Sequence, residues 1–498
     1  MNVPVEHWSY RAIDTLIGYG VVTTAMLGIR PFSRAEMTRL IVEAAPRIAA
    51  LPPHQRAVAE GLLRRLQRTF QDEVIFHDTT TVAGHPTFLT LGEELSVQYV
   101  HVDGKPISLL PSPGIDATEG TPLVRNNEGI IYRQGDNVLL AANAYGKLWD
   151  SFAFLVQPLL ALYDTDNDLE ATLRLHKGYV KGQLGPVEVE FGRDSVSWGQ
   201  GYRGNMVFST HPPPFDFLKI STPQPFRLPW IFKYLGLVKA DTFLAQLEDD
   251  RQDSPRTKIW GLRLLMKPTK WLEIGLLEGT QFNGDNVPGL NFDDILKILT
   301  LQRIGTEESP EKANQLAVLD WRITLSSLRF TQFYAEIGFE DRGDIGVLAG
   351  LYVPRLTDDG RTTFRFEWMR DTIHTDVIPG VWYSHATFFS GFTFQNLVLG
   401  HASGGENQEF FTRLTRDFSA RATLGVDLAY RWRQGPRLVG SQINERHYEG
   451  GLDLQYFFSH FWEVRARFAM EKVENFNLQS GVDRDNLLFG LQVKYHLF

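Results

Sequence analysis

From about residue 88 to the end of the chain, apolar and polar side chains alternate one by one over long stretches. This constrains the fold more than any other feature. Trp462, Val464, Ala466, Phe468 and Met470 share one face, and Glu463, Arg465, Arg467 and Glu471 the other. Leu424, Val426, Leu428, Tyr430 and Trp432 alternate with Thr423, Asp427, Arg431 and Arg433, and Phe364, Phe366 and Trp368 with Arg365, Glu367 and Met369. Successive strand side chains point to opposite faces. These stretches exceed the ~5–6 residues common in globular strands and reach the ~9–11 that a tilted strand needs to cross a bilayer. The apolar face is rich in Phe, Trp and Tyr, while the other carries both signs of charge, strand after strand. That combination suits a lipid-facing exterior around a wet, ionic lumen lined by Arg365, Glu367, Asp427, Arg431, Glu463, Arg465 and Arg467. The expected fold is an all-β transmembrane, antiparallel outer-membrane β-barrel of about 18 strands. A soluble all-β sandwich is the alternative.

The strands are expected to start near Phe88, Asp136, Leu148, Leu169, Pro186, Pro214, Gly236, Thr257, Trp271, Asn314, Leu328, Ile345, Arg361, Gln408, Ala420, His447, Phe461 and Asp485. Short turns then fall at Gly146-Lys147, 182–185, 268–270, 358–360, 417–419 and Ser459-His460. Longer links fall between them, at 103–135, 194–213, 282–313, 373–407, 433–446 and 475–484. Outer-membrane barrels have short periplasmic turns and longer outer loops. The Pro-rich, aromatic link 223–235 is the exception on the short-turn side. The chain ends in Phe498, a common mark of such barrels.

Composition removes other classes. No apolar run approaches the ~18–20 residues of a spanning helix, since Val138–Tyr163 is broken by Asn143, Lys147, Asp150 and Gln157. With no cysteine, there is no disulfide, thiolate metal site, thiol nucleophile or attached c-type haem. Such a composition is ordinary for a protein that must cross an oxidising periplasm. The start Met1-Asn2-Val3-Pro4 has neither a charged nor an apolar signal region, so under the barrel reading the sequence is expected to be a mature form, or one with an added Met.

The first seventy residues have a different period. Ile13, Leu16, Ile17 and Val21 keep helical spacing, as do Met37, Leu40, Ile41 and Ala44, and Ala59, Leu62, Leu63, Leu66 and Phe70. Ser33 with Glu36 is a capping-box pattern, Gly18 and Gly20 stop the first helix, and Pro52-Pro53 precede the third. Residues 1–70 are read as a small periplasmic helical bundle, 71–87 as a linker and 88–498 as the barrel. The head is basic, with nine Arg against five acidic residues, on a chain of net charge −9. His7 to Ile13, Leu16, Gly20, Pro31 and Ser33-Arg34-Ala35-Glu36 resemble one surface-layer-homology (SLH) repeat. A structural plug or foot, or contact with peptidoglycan or an acidic envelope polymer, would each suit it.

Two clusters in the longer links carry candidate chemistry. One runs Gly192-Arg193 through Trp198-Gly199-Gln200-Gly201-Tyr202-Arg203-Gly204-Asn205 to Ser209, His211 and Pro212-Pro213-Pro214. The other is Gly400-His401-Ala402-Ser403-Gly404-Gly405-Glu406. Both resemble segments of the capsule-assembly outer-membrane proteins of the Wzi type: Gly-Arg, then Trp-Gly-x-Gly, then a Ser- and Pro-containing stretch, and later Gly-His followed by Gly. The resemblance covers most of residues 85–498. It implies a barrel of about eighteen strands with periplasmic helices, acting as a lectin that holds capsular polysaccharide. Independently of it, aromatic faces flanked by planar polar groups bind sugars. Arg193, Trp198, Gln200, Tyr202, Arg203 and Asn205, with His401, offer that chemistry on a glycine-hinged loop. The plainer reading makes Trp198 and Tyr202 interface-belt aromatics and Gly199 and Gly201 simple turn residues.

Other motifs lead less far. Gly199 to Gly204 matches GxGxxG by letter but lacks a βαβ setting. His401 with Glu406 is a weak metal pair, and Asp164, Asp166 and Asp168 read as a solvated acidic tip rather than a Ca²⁺ loop lacking its Gly and distal Glu. Asp249, Asp250 and Asp253 read the same way. No Gly-x-Ser-x-Gly is present, so no catalytic residue, metal or cofactor is expected. The expected function is binding or anchoring surface capsular or exopolysaccharide, without catalysis. A porin or transport conduit, one that sheathes a partner protein included, is the alternative. Outer-membrane lipid is an expected partner and nucleic acid is not.

Overall fold

The computed structural model describes residues 1–71, 73–74, 87–109, 118–149, 151–165, 168–299, 312–340, 345–372, 382–405, 407–434 and 443–497. Expectations for Glu406, Phe498, Asp150, Asp166 and most of the linker lie outside the described residues.

Eighteen antiparallel strands, each paired with its neighbour in sequence, close into a barrel. They are β1 (Phe88–Asp103), β2 (Gly135–Leu148), β3 (Phe152–Thr165), β4 (Asp168–Leu184), β5 (Val187–Asp194), β6 (Phe215–Ser221), β7 (Leu237–Gln246), β8 (Lys258–Thr269) and β9 (Leu272–Phe282). There follow β10 (Ala313–Leu325), β11 (Thr331–Glu340), β12 (Ile345–Val353), β13 (Thr362–Arg370), β14 (Asn407–Asp417), β15 (Ala422–Gln434), β16 (Asn444–Phe457), β17 (Trp462–Glu474) and β18 (Arg484–His496). Closure pairs β18 with β1 over Glu94↔His496 to Asp103↔Leu487. Each expected strand is present, its start within a few residues of the expected one.

The alternation sorts residues as lipid and lumen require. Val426 and Leu428 on β15, and Phe468 and Met470 on β17, are exposed outside, while Asp427, Arg431, Glu463 and Glu471 are buried inside. The interior charges are paired: Arg413 with Asp427 at 2.7 Å, Lys219 with Glu190 at 2.9 Å, and fully buried Arg263 with Asp320. Burying a charge costs several kcal/mol unless a partner faces it, so the polar face works only as a set.

Two expected connections differ. Gly146-Lys147 is strand, paired Gly146↔Phe154 and Lys147↔Ala153, and β2 ends only at Leu148. A β-carbon on Gly146 would stand 2.6 Å from the Phe154 ring, so this glycine makes room for an aromatic ring instead of turning the chain. Strands β3 and β4 pair as far as Thr165↔Asp168, so Asp164 and Asp168 are strand residues, and Asp164 is exposed as an acidic tip requires.

At one end, the head end, lie α1 (Ser9–Gly18), α2 (Arg34–Ala44) and α3 (Pro53–Thr69). Ser33 caps α2 by accepting the Glu36 N–H at 3.0 Å. Glu36 does not reach back but pairs with Arg39 at 2.7 Å. The helices share one core, which includes Phe457 of β16; the Trp8 ring meets it edge-on at 5.8 Å. Arg11 pairs with Asp417 at 2.6 Å, and the Tyr19 hydroxyl donates to the Gly360 carbonyl at 3.2 Å. The helices therefore seat in the barrel end instead of hanging from it.

Candidate functional site

The connection from β5 to β6, residues 195–214, does not project from the barrel. It folds inward and is buried over most of its length. Two carboxylates on the barrel wall hold its backbone. Glu336 of β11 accepts the N–H groups of Gln200 (2.6 Å), Gly201 (2.9 Å) and Met206 (2.9 Å). Glu367 of β13 accepts those of Tyr202 (2.6 Å) and Arg203 (2.8 Å), and the Tyr334 hydroxyl at 2.6 Å. Five amides converging on two carboxyl groups fix the loop as a latch. Gly199, at φ +144°, permits the approach: a β-carbon there would lie 2.5 Å from Glu336 Oε1.

Side chains lock the latch further. Arg203 donates to Glu409 at 3.0 Å and Glu449 at 2.5 Å; Arg125 from the β1–β2 connection shares Glu449 at 2.9 Å. Tyr202 stacks on Phe411, with the Arg365 guanidinium 4.5 Å from its ring centre. From the head end, residues 25–30 form a tongue that enters the lumen. Ile29 and Arg30 pair with Trp198 and Ser197, the Gly28 carbonyl accepts from Gly199 N–H at 3.0 Å, and Gly28 N–H donates to Glu273 at 3.1 Å. Head and latch thus meet inside the barrel.

The β13–β14 and β1–β2 connections bond to the latch. Ser209 N–H donates to the Leu399 carbonyl at 2.8 Å and Glu128 N–H to that of Thr210 at 2.7 Å. Asp253, expected in a solvated tip, is instead buried: it pairs with Arg251 at 3.0 Å and accepts Ser390 N–H at 2.9 Å. Burial drives His211 to a pKa of about 3 and His401 to about 4, because the charged imidazole loses its water.

The expected sugar-contact residues are placed as follows. Trp198 is wholly buried against Phe208 and Phe243, so its ring offers no face to a ligand. Gln200 bonds Glu273 and Asp320, Asn205 bonds Ser197 and the Phe208 carbonyl, and His401 is packed against Gly204; all three are buried. Arg193 points to the barrel exterior and pairs with Asp216 of β6 at 2.7 Å, because strand alternation turns it away from the lumen. Tyr202 keeps an exposed face, and with Arg203 it borders an interior cavity of about 620 Å³ between latch and head. Arg365, Glu367, Asp427, Arg431, Glu463, Arg465 and Arg467 all face inward, but into ion pairs and the latch. Arg431 pairs with Glu119 of the β1–β2 connection at 2.6 Å, and Arg467 with Asp427 at 3.2 Å. The sequence alone does not single out Glu336, Glu409, Glu449 or the tongue. Each acid sits on the polar face of an alternating strand, yet nothing local distinguishes it from its neighbours.

The sequence profile of the family "Capsule assembly protein Wzi" matches residues 110–488. The chain belongs to the Wzi capsule-assembly family. Among solved structures, the Wzi barrel of Escherichia coli is similar over 100% of both chains, with a TM-score of 0.72 and 14% identity. It is described as an outer-membrane protein involved in group 1 capsule assembly and as a carbohydrate-binding β-barrel. OprD of Pseudomonas aeruginosa aligns over 83% of this chain and 95% of its own, with 12% identity and a TM-score of 0.46. No curated protein matches the sequence. This Wzi-family chain is an outer-membrane barrel, and its latch uses the segment by which the family was recognisable: Trp198 to Gly201 supply the buried ring, the two permissive glycines and the amides that Glu336 holds.

Proposed function

We propose that the chain is a non-catalytic surface lectin that holds capsular or exopolysaccharide on the outer membrane, with its head end toward the periplasm. One observation carries the reading: the β5–β6 connection occupies the lumen as a latch, so the surface left for a ligand is the far end. Short head-end turns, such as 270–271, against long far-end links, such as 371–406, support that orientation. In this reading the helical head is a plug.

At the far end, a small hairpin pairs Thr393-Phe394 with Leu397-Val398 and lifts Gln395 and Asn396 into solvent at positive φ. It is braced by Thr118 N–H on the Asn396 carbonyl (3.0 Å) and by Gln395 N–H on Glu248 (3.2 Å). The Phe389 ring of the same connection is 44% exposed. Exposed aromatic rings and planar side-chain amides, which Phe389, Gln395 and Asn396 supply on this connection, are the chemistry that stacks on and hydrogen-bonds sugars. The test is pull-down of the host's own surface polysaccharide by the purified barrel. Capture should fall in F389A and N396A, which leave the latch intact. Capture unchanged in both variants would refute this contact surface, and no capture by the parent would refute the function.

A further inference from the structure

The head-end link between β6 and β7 is long where its neighbours are tight, and its tip is built of large apolar side chains turned outward. Trp230, Ile231, Phe232 and Tyr234 are 84%, 72%, 51% and 74% exposed on a single 3₁₀ turn, Trp230–Leu235, with Lys233 among them. The tip is held. Phe226 and Val238 exchange backbone hydrogen bonds at 3.0 and 2.8 Å and close its neck. Its base is tied to α2, where Ser33 Oγ donates to the Pro223 carbonyl at 3.0 Å and Gln224 Nε2 to that of Ala35 at 3.2 Å. Trp230 itself adopts φ +56°, a left-handed conformation that a bulky residue keeps only when its surroundings enforce it.

Water is a poor environment for four such side chains at the end of a fixed hairpin. We infer that residues 226–235 are a membrane-interface anchor, lying at the headgroup level of the phospholipid leaflet on the head side. Two observations favour lipid over a protein partner. The tip continues the lipid-facing surface: the outward residues Leu218 and Ile220 of β6 lead into it, and the flanking head-end turns also expose apolar residues, Leu184 before it and Trp271 after it. Its composition is that of a belt, Trp and Tyr with a cation between them, where amphipathic rings sit at the headgroups and ammonium groups meet phosphate. Lys270, exposed beside Trp271, adds a second cation on the same rim.

The absence of cysteine from the chain makes the test direct. W230C and Y234C are prepared in the full-length protein, labelled with an environment-sensitive fluorophore and reconstituted into vesicles of phosphatidylethanolamine and phosphatidylglycerol. S480C, in an exposed far-end turn, serves as the aqueous control. Folding of each variant is checked by heat-modifiable gel mobility. Both tip labels should emit to the blue of the control, lose emission in vesicles whose phospholipids are brominated near the glycerol end of the acyl chain, and resist aqueous iodide. Emission at both positions unchanged by bromolipid overturns the inference, whether iodide then reaches them or a second copy or another protein shields them.

Discussion

At the scale of single residues, Glu336 and Glu367 hold the latch in the lumen. Each accepts several loop amides at once, so replacing either with a short apolar side chain strands those amides. A buried, unpaired polar group costs about 1–3 kcal/mol, and Glu336→Ala leaves three amides without their acceptor. E336A should therefore release residues 199–206 while the barrel stays folded. Limited proteolysis in detergent would show it as new cleavage within that segment, absent from the parent. Gly199→Val should act similarly from the other side of the contact, since its β-branched side chain meets Glu336 Oε1 in a backbone conformation that disfavours it. Trp198→Ala empties a fully buried site and should cost about 3–5 kcal/mol, read as a lower temperature for loss of heat-modifiable mobility. Its effect on polysaccharide capture should be indirect, appearing only where the latch is lost.

At the scale of elements, the far-end connections are coupled through buried histidines. Both His211 and His401 have pKa values pushed below the free value of 6.5, to about 3 and about 4. For such a base the opened state binds more protons than the closed one at pH values between the two. Closure is thus favoured fully above about pH 6.5, and weakens as pH falls toward about 4. Protease sensitivity of the connections should rise over that window, and H401Q should reduce the rise; sensitivity that is flat from neutral to acid pH would contradict this coupling. Elements also show what a sequence can convey. The strands were legible because lipid outside and ion pairs inside force each residue to one face. The helix start at Arg34 was legible because Ser33 acts through a local contact. The latch was not. A glycine-rich polar loop reads alike whether it reaches outward to a ligand or folds inward. Its fate depends on Glu336, Glu367 and Glu409, which are remote in sequence and look like any other lumen charge. The same ambiguity placed Trp198 among sugar-contact residues when its ring belongs to the core with Phe208 and Phe243.

At the scale of the whole molecule, two bodies enter the barrel from opposite ends and touch. The tongue at residues 25–30 meets the latch at Ser197–Gly199, so protein crosses the lumen from one end to the other. A conduit would need the latch to withdraw from the tongue, whereas a lectin needs no such movement. Bilayer recordings decide between these most directly. Purified full-length protein reconstituted into a planar bilayer should give no conductance steps at neutral pH, and E336A combined with E367A should give steps where the parent is silent. Sustained, ion-conducting openings of the parent protein at neutral pH would contradict the account.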